Sequence, residues 1–219
     1  MKYKTVIFDL DGTLLDTLQD LTNSVNFALS SMRYPERTHK EVRAFVGNGI
    51  GKLIERAVPA NTDEQSIHTT LQIFKEHYGV HCEDCTAPYQ GITELLDCLK
   101  EHGIQTAVVS NKADFAVKKL CEKYFENRIL LSVGEREGVR RKPAPDSVFS
   151  VMEQLSAKRE ESVYIGDSDV DIETARNSGI DSIIVTWGFR DKDDLLQKGA
   201  SVFADSVFQL KNLLLEISD

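Results

Sequence analysis

No apolar run in this chain approaches the ~20 residues that a membrane-spanning helix needs, and the first residues lead directly into a strand-like segment without a signal-peptide pattern. Both absences point to a cytoplasmic protein without a membrane partner. Positive charge is also scarce: 26 Lys and Arg stand against 35 Asp and Glu, a net charge of −9. That balance argues against a nucleic-acid surface. It leaves an anionic substrate open, because a bound divalent cation can dominate the local field. Cysteine is limited to Cys82, Cys85, Cys98 and Cys121, read as free thiols in a reducing compartment. His77, His81, Cys82 and Cys85 are zinc ligands by type. Adjacent His81 and Cys82 point in different directions in regular structure, however, and there is no second CxxC pair. Whether these four hold a metal stays open. The sequence also lacks an internal repeat, a low-complexity tract and a disordered linker.

What is present centres on Lys4-Thr5-Val6-Ile7-Phe8-Asp9-Leu10-Asp11-Gly12-Thr13. Thr5 to Phe8 is a short run of β-branched and aromatic residues, which predicts a buried strand. Apolar on both faces, it suits a parallel sheet covered by helices. Asp9 and Asp11 follow where the strand ends, and Gly12 permits a sharp turn. Residues two apart in extended chain point to the same side, so the two carboxylates can face one site. Crowded acids repel unless a cation or a shared proton relieves them. The alternative is a strand ending in a solvated polar turn.

A chain of 219 residues can bury a sizeable core and suits one domain with an insertion. Helical spacing runs from Asp16 to Ser31. Thr38 with Glu41 reads as a capping box for a helix through Val46. Gly51 to Val58 is a short helix, and Thr62 or Asp63 starts a longer one that stops before Gly79. After Pro88 the pattern alternates. Helix Ile92 to His102 precedes strand Ile104 to Val109, which ends in Ser110-Asn111-Lys112. A helix through Tyr124 precedes a strand from Arg128 to Val133. Lys142-Pro143-Ala144-Pro145-Asp146 opens a helix through Leu155. Strand Ser162 to Ile165 ends in Gly166-Asp167-Ser168-Asp169-Val170-Asp171, and a helix ends at Gly179. Ile180 to Thr186 and Ser201 to Ala204 are the last strands, and Ser206 to Ile217 the last helix. This alternation predicts an α/β fold, a doubly wound parallel sheet with a Rossmann-like core. Residues 1–15 and 87–219 form that core, and residues 16–86 form a helical cap inserted after strand one.

Three strand ends carry polar chemistry: Asp9 with Asp11, Ser110 with Asn111, and Asp167 with Asp171. Lys142 is a fourth element. In a doubly wound sheet such ends converge on one crevice. Together they offer a nucleophile, an acid, a hydroxyl donor, a cation and hard oxygen ligands suited to Mg2+. Phosphoryl transfer needs that set: in-line positioning and neutralisation of the equatorial oxygens.

These stretches resemble the four motifs of the haloacid dehalogenase-like hydrolase superfamily, and the resemblance covers essentially the whole chain. It implies that Asp9 is a nucleophile that becomes a phosphoaspartate. Asp11 is then the general acid and later the base, and its carbonyl is a metal ligand. Ser110 bonds the phosphoryl oxygens, and Lys142 pairs with Asp9 and the transferring group. Asp9, Asp11 and Asp167 hold Mg2+, with Asp171 supporting them from behind. An acid at Asp11 favours phosphoryl transfer over carbon–halogen cleavage. The segment Arg43-Ala44-Phe45-Val46-Gly47-Asn48-Gly49-Ile50-Gly51 resembles the cap of phosphoglycolate phosphatases. That makes Arg43 and Asn48, with Asn111, candidate substrate-binding residues. A plain helix–loop–helix turn explains the same segment equally well.

The reading is therefore a phosphatase for a small phosphorylated metabolite, monomeric or homodimeric. A β-phosphoglucomutase-type phosphotransferase, a pyrophosphatase and a receiver-like phospho-accepting protein are alternatives. Asp16 reads as an N-cap and Asp169 as a helix N-terminal charge. Arg140 and Arg141 have the reach for a phosphate or form a solvated pair beside Lys142, and Trp187 and Phe189 read as core or loop packing.

Overall fold

The computed structural model describes residues 2–47 and 49–216. Its elements run β1 (Thr5–Phe8), β2 (Leu15–Asp16), α1 (Leu18–Ser31), α2 (His39–Phe45), α3 (Gly49–Ala57), α4 (Glu64–His81), β3 (Ala87–Pro88), α5 (Ile92–Glu101), β4 (Gln105–Ala113), α6 (Asp114–Phe125), β5 (Leu131–Glu135), α7 (Asp146–Leu155), β6 (Ser162–Gly166), α8 (Asp169–Ser178), β7 (Asp181–Val185), α9 (Lys192–Gln197), β8 (Phe203–Ala204) and α10 (Val207–Leu215). The described residues divide into two compact units, one from Asp16 to Ala87 and the other comprising the rest.

The larger unit holds a six-stranded sheet of order β5-β4-β1-β6-β7-β8, in which the pairings are parallel. This is the α/β doubly wound architecture that the alternation of elements predicts. Strand β1 lies at its centre with all four residues buried. Period-two alternation sends Val6 and Phe8 into one cluster with Leu95 and Leu99 of α5, Leu120 of α6 and Leu214 of α10. Ile7 goes to the opposite face, with Val148 and Val151 of α7 and Ala175 of α8. Burying each such side chain contributes about 1.5–3 kcal/mol. The two apolar faces thus fix where β1 must stop, at Asp9.

The smaller unit is helical. Thr38 caps α2 with its side chain, and Glu41 returns the bond to complete the capping box. Asp63 caps α4 by accepting from the Ser66 N–H. Buried Asp20, on α1, accepts from the N–H groups of Cys85 and Thr86 and from the Thr86 hydroxyl at 2.8–3.0 Å. One carboxylate thereby ties the first turn of α1 to the end of the unit's chain.

Several boundaries differ from the sequence reading. Helix α4 continues through Gly79 to His81, because glycine inside a helix costs only about 1 kcal/mol. Strand β4 runs on through Ser110, Asn111 and Lys112 to Ala113, with a register shift after Val109. The strand placed at Arg128 starts at Leu131, since Asn127 turns the chain at φ +62° and the Arg128 N–H still bonds back to Phe125. Lys142 stands ahead of α7, not within it, because a residue preceding proline is pushed out of the α region. Helix α9 went unpredicted: six residues with Leu195 as the buried one give no readable periodicity. Strands β2 and β3, two residues each, form a separate small sheet. Residue Ile217, in the last predicted helix, lies outside the described residues.

Candidate active site

Strands β4, β1 and β6 are neighbours, so their polar carboxyl ends lie side by side. Phe8 is in register with Val108 and Ile165, and the Asp9 N–H donates to the Ile165 carbonyl at 2.8 Å. The chain then folds tightly. The Leu10 carbonyl accepts from the N–H groups of Thr13, Leu14 and Leu15. Gly12 takes φ +82°, and a Cβ there would lie 2.5 Å from Asp167 Oδ2. Glycine is required twice over, by the backbone angle and by the close approach.

Lys142 organises the centre. It is 4% exposed, and its Nζ lies 3.0 Å from Asp9 Oδ1, 2.8 Å from Asp171 Oδ1 and 2.9 Å from the Tyr164 hydroxyl. An ammonium has three donors, and these three partners match them. Tyr164 in turn donates to the Val109 carbonyl at 2.8 Å. The Asn111 amide clamps the Lys142 backbone from both sides, donating to its carbonyl at 3.0 Å and accepting from its N–H at 2.9 Å. Asn111 therefore holds Lys142 in place.

Asp9 makes its side-chain contacts through Oδ1, accepting from the Leu10 N–H at 2.7 Å as well as from Lys142. Asp11 Oδ1 accepts from Lys112 Nζ at 2.9 Å. Ser110 is buried on β4, and its Oγ accepts from the Lys112 N–H at 3.3 Å. Asp167 Oδ1 accepts from the Thr13 hydroxyl at 3.2 Å and Oδ2 from the Phe189 N–H at 2.7 Å. Asp171 is fully buried. Its Oδ2 accepts from the Asp167 and Ser168 N–H groups and from the Ser168 hydroxyl.

Among the described residues, Asp9, Asp167 and Asp171 bring carboxylate oxygens within 4.8 Å of one another. Desolvation pushes Asp9 up to about 7 against the pull of Lys142. Desolvation, with the charges of Asp171 and Asp9, pushes Asp167 up to about 8. Burial opposes the charge on Lys142, but Asp171 and Asp9 outweigh it and hold the ammonium well above its usual range. The acids are under strain that a hard cation would relieve, so the donor set fits Mg2+. Asp171 already accepts from Lys142, two N–H groups and a hydroxyl, so Asp9 and Asp167 have the larger remaining capacity.

Two groups escaped the sequence reading. Lys112 had no assigned role, yet it is buried and paired with Asp11. Trp187 and Phe189 pack as read, Phe189 buried and Trp187 against the core cluster, but the backbone of their loop after β7 also reaches Asp167. Trp187 Nε1 donates to the Thr13 carbonyl at 3.1 Å, and a Cβ on Gly188 would stand 2.4 Å from Asp167 Oδ2. This loop acts through an N–H, a missing Cβ and an indole edge, so it shows no polar motif. The available signal was topological, since β7 adjoins β6.

Arg43 sits in the last turn of α2, in the smaller unit, and Asn48 falls outside the described residues. His77 Nδ1 is 2.9 Å from Ser24 Oγ, and the ring stacks on Phe27 and His81. His81 Nδ1 is 2.7 Å from Asp84. Cys82 is buried and Cys85 exposed. Arg140 forms a two-pronged pair with Asp146, and Asp16 accepts from the Leu18 N–H at the start of α1.

The sequence profile described as haloacid dehalogenase-like hydrolase matches residues 6–185. A phosphoglycolate phosphatase of Pseudomonas syringae pv. syringae (strain B728a) is 30% identical over 213 residues, covering 94% of this chain and 78% of that one. Another, from Agrobacterium fabrum (strain C58 / ATCC 33970), is 34% identical over 190 residues, covering 84% and 81%. The crystal structure of a candidate phosphoglycolate phosphatase from Lactobacillus delbrueckii subsp. bulgaricus matches with a TM-score of 0.94 at 36% identity, covering 98% of this chain and 99% of that one.

Proposed function

The chain belongs to the haloacid dehalogenase-like hydrolase family and is therefore an enzyme; on that premise we propose that it is a Mg2+-dependent phosphatase acting on a small phosphate monoester, phosphoglycolate or a near analogue, through a phosphoaspartate at Asp9. The observation that carries this reading is the tether of Asp9. Lys142 and the Leu10 N–H both engage Oδ1, which leaves Oδ2 as the attacking atom. A carboxylate nucleophile divides one displacement into two. Asp9 Oδ2 attacks phosphorus as the ester oxygen leaves, and Asp11 gives that oxygen a proton. Asp11 then takes a proton from the water that releases phosphate and restores Asp9. Ser110 and Lys142 are the groups proposed to bond the phosphoryl oxygens. The carboxylates of Asp9 and Asp167, with the Asp11 carbonyl, would hold Mg2+, and Asp171 would orient Lys142. When bound, Mg2+ supplies neutralisation of phosphoryl charge.

The metal makes a prediction that needs no turnover. Folded, metal-free protein retains protons on Asp9 and Asp167 up to about pH 7 and 8, whereas the unfolded chain loses them near 3.8. The folded state binds more protons between these limits, so the two groups subtract stability as pH rises through that window. Metal ligation requires the ionised carboxylates. The rise in Tm caused by Mg2+ is therefore expected to be small near pH 5.5 and to grow towards about pH 8. Thermal unfolding with and without Mg2+ measures it. A Mg2+ effect independent of pH would contradict this account.

Substrate choice is proposed to depend on the smaller unit, acting as a cap. A phosphoglycolate-sized ester offers few groups beyond its phosphate, so the phosphoryl site alone cannot identify it. Arg43 is proposed to pair with the carboxylate, with help from Asn48. Phosphate release from a panel of phosphorylated metabolites is expected to rank phosphoglycolate first by kcat/KM. Arg43→Ala is expected to lower that value about 10- to 100-fold, the worth of a charge-assisted bond, and p-nitrophenyl phosphate turnover far less. Equal losses on both substrates would remove Arg43 from recognition.

A further inference from the structure

Lys112 follows Ser110 by two positions on β4, both are buried, and the Lys112 N–H donates to Ser110 Oγ at 3.3 Å. Its side chain is 4% exposed. A buried ammonium must be paired, and Nζ meets Asp11 Oδ1 at 2.9 Å. The arrangement parallels the other lysine of the site, where Lys142 Nζ meets Asp9 Oδ1 at 3.0 Å. In each pair a buried lysine occupies one carboxylate oxygen. Asp11 Oδ2 has no hydrogen bond to the described residues. The carboxyl group itself remains 19% exposed.

We propose that Lys112 is a positioning residue for Asp11: by fixing Oδ1 it holds the carboxyl plane so that Oδ2 delivers and recovers the proton of the reaction. This rests on the phosphatase reading given above. In the first step the ester P–O bond breaks, a bond forms from phosphorus to Asp9 Oδ2, and the Oδ2 proton of Asp11 moves to the departing oxygen. In the second step water attacks phosphorus, its proton returns to Asp11 Oδ2, and Asp9 is released as a carboxylate. Protons balance over the cycle. Proton transfer demands hydrogen-bond geometry at the transition state, and an untethered aspartate samples several rotamers. The Asp11 carboxyl is 19% exposed, and its one side-chain bond among the described residues is the one to Lys112. The lysine selects among those rotamers.

The test uses leaving groups. An alkoxide must be protonated as it departs, whereas p-nitrophenolate leaves unassisted. Lys112→Met removes the tether and keeps the length of the apolar stem. Its kcat/KM on an alkyl phosphate is expected to fall about 10- to 100-fold more than on p-nitrophenyl phosphate, part of the roughly 10^2–10^4-fold that general acid catalysis contributes. Lys112→Arg, which keeps the charge with altered reach, is expected to show the same selective loss in smaller measure. It serves alone if thermal unfolding shows that Lys112→Met does not fold. Because kcat/KM ends at the first irreversible step, slow phosphoaspartate hydrolysis does not mask the ratio. Equal losses on both esters, or no loss on either, would overturn the positioning role while leaving the phosphatase intact. A wild-type protein inert towards both esters with Mg2+ would overturn the phosphatase reading and this inference with it.

Discussion

Asp9→Asn is expected to lower kcat/KM by about 10^4-fold or more, the scale seen when a covalent nucleophile is removed. The amide matches the carboxylate in shape, and its oxygen still accepts from the Leu10 N–H and from Lys142. What it loses is the anionic oxygen that the proposed mechanism uses to attack phosphorus. Stability should move the other way. Desolvation pushes the Asp9 carboxyl up to about 7, so the charged form is costly near neutral pH in the metal-free protein. A neutral amide avoids that cost, and the metal-free variant should melt at or above the wild-type temperature. Initial rates and thermal unfolding on the same samples check both halves. Residual activity above a few per cent would remove Asp9 from the chemistry.

Lys142→Met is expected to damage both properties. Its ammonium joins Asp9, Asp171 and Tyr164 at 2.8–3.0 Å. Removing it leaves two carboxylates facing each other in a desolvated site, and Asp171 is fully buried. Breaking one side of a buried ion pair costs about 3–5 kcal/mol. On the proposed mechanism the substitution also removes a preorganised phosphoryl donor, which is expected to cost about 10^2–10^3-fold in kcat. Urea unfolding should show the loss of stability shrink as pH falls, because protonation of Asp9, already raised to about 7 by burial, removes its repulsion with Asp171. Wild-type stability at neutral pH would contradict the central role given to Lys142.

Much of this site was legible because polar residues interrupt apolar strands at points that topology then brings together. Asp9 and Asp167 stand just past the ends of β1 and β6, and Ser110 follows the apolar run of β4, which itself continues to Ala113. The capping box at Thr38 and Glu41 was readable because its spacing has one mechanism. Other features had no such signature. Lys112 sits in a polar run where a solvated lysine would be ordinary, and only the course of β4 past Ser110 buries it beside Asp11. Gly188 and the Phe189 N–H act on Asp167 through backbone, which side-chain patterns do not report. The clamp that Asn111 puts on the Lys142 backbone spans 31 positions in sequence and left no local pattern to read. Gly79 failed as a helix stop because its backbone keeps helical angles, whereas Gly103 and Gly179, at φ +71° and +67°, do end theirs.

The central claim is that phosphate passes through Asp9. The direct measurement is to mix enzyme, Mg2+ and phosphoglycolate, quench within the first turnovers, and reduce with borohydride, which converts an acyl phosphate to the alcohol. Peptide mass spectrometry then locates the modified residue. The account predicts homoserine in place of aspartate at position 9, only when ester and Mg2+ are both present, and none in Asp9→Asn. Active enzyme that never yields this product, or that yields it at Asp11 or Asp167 instead, would contradict it.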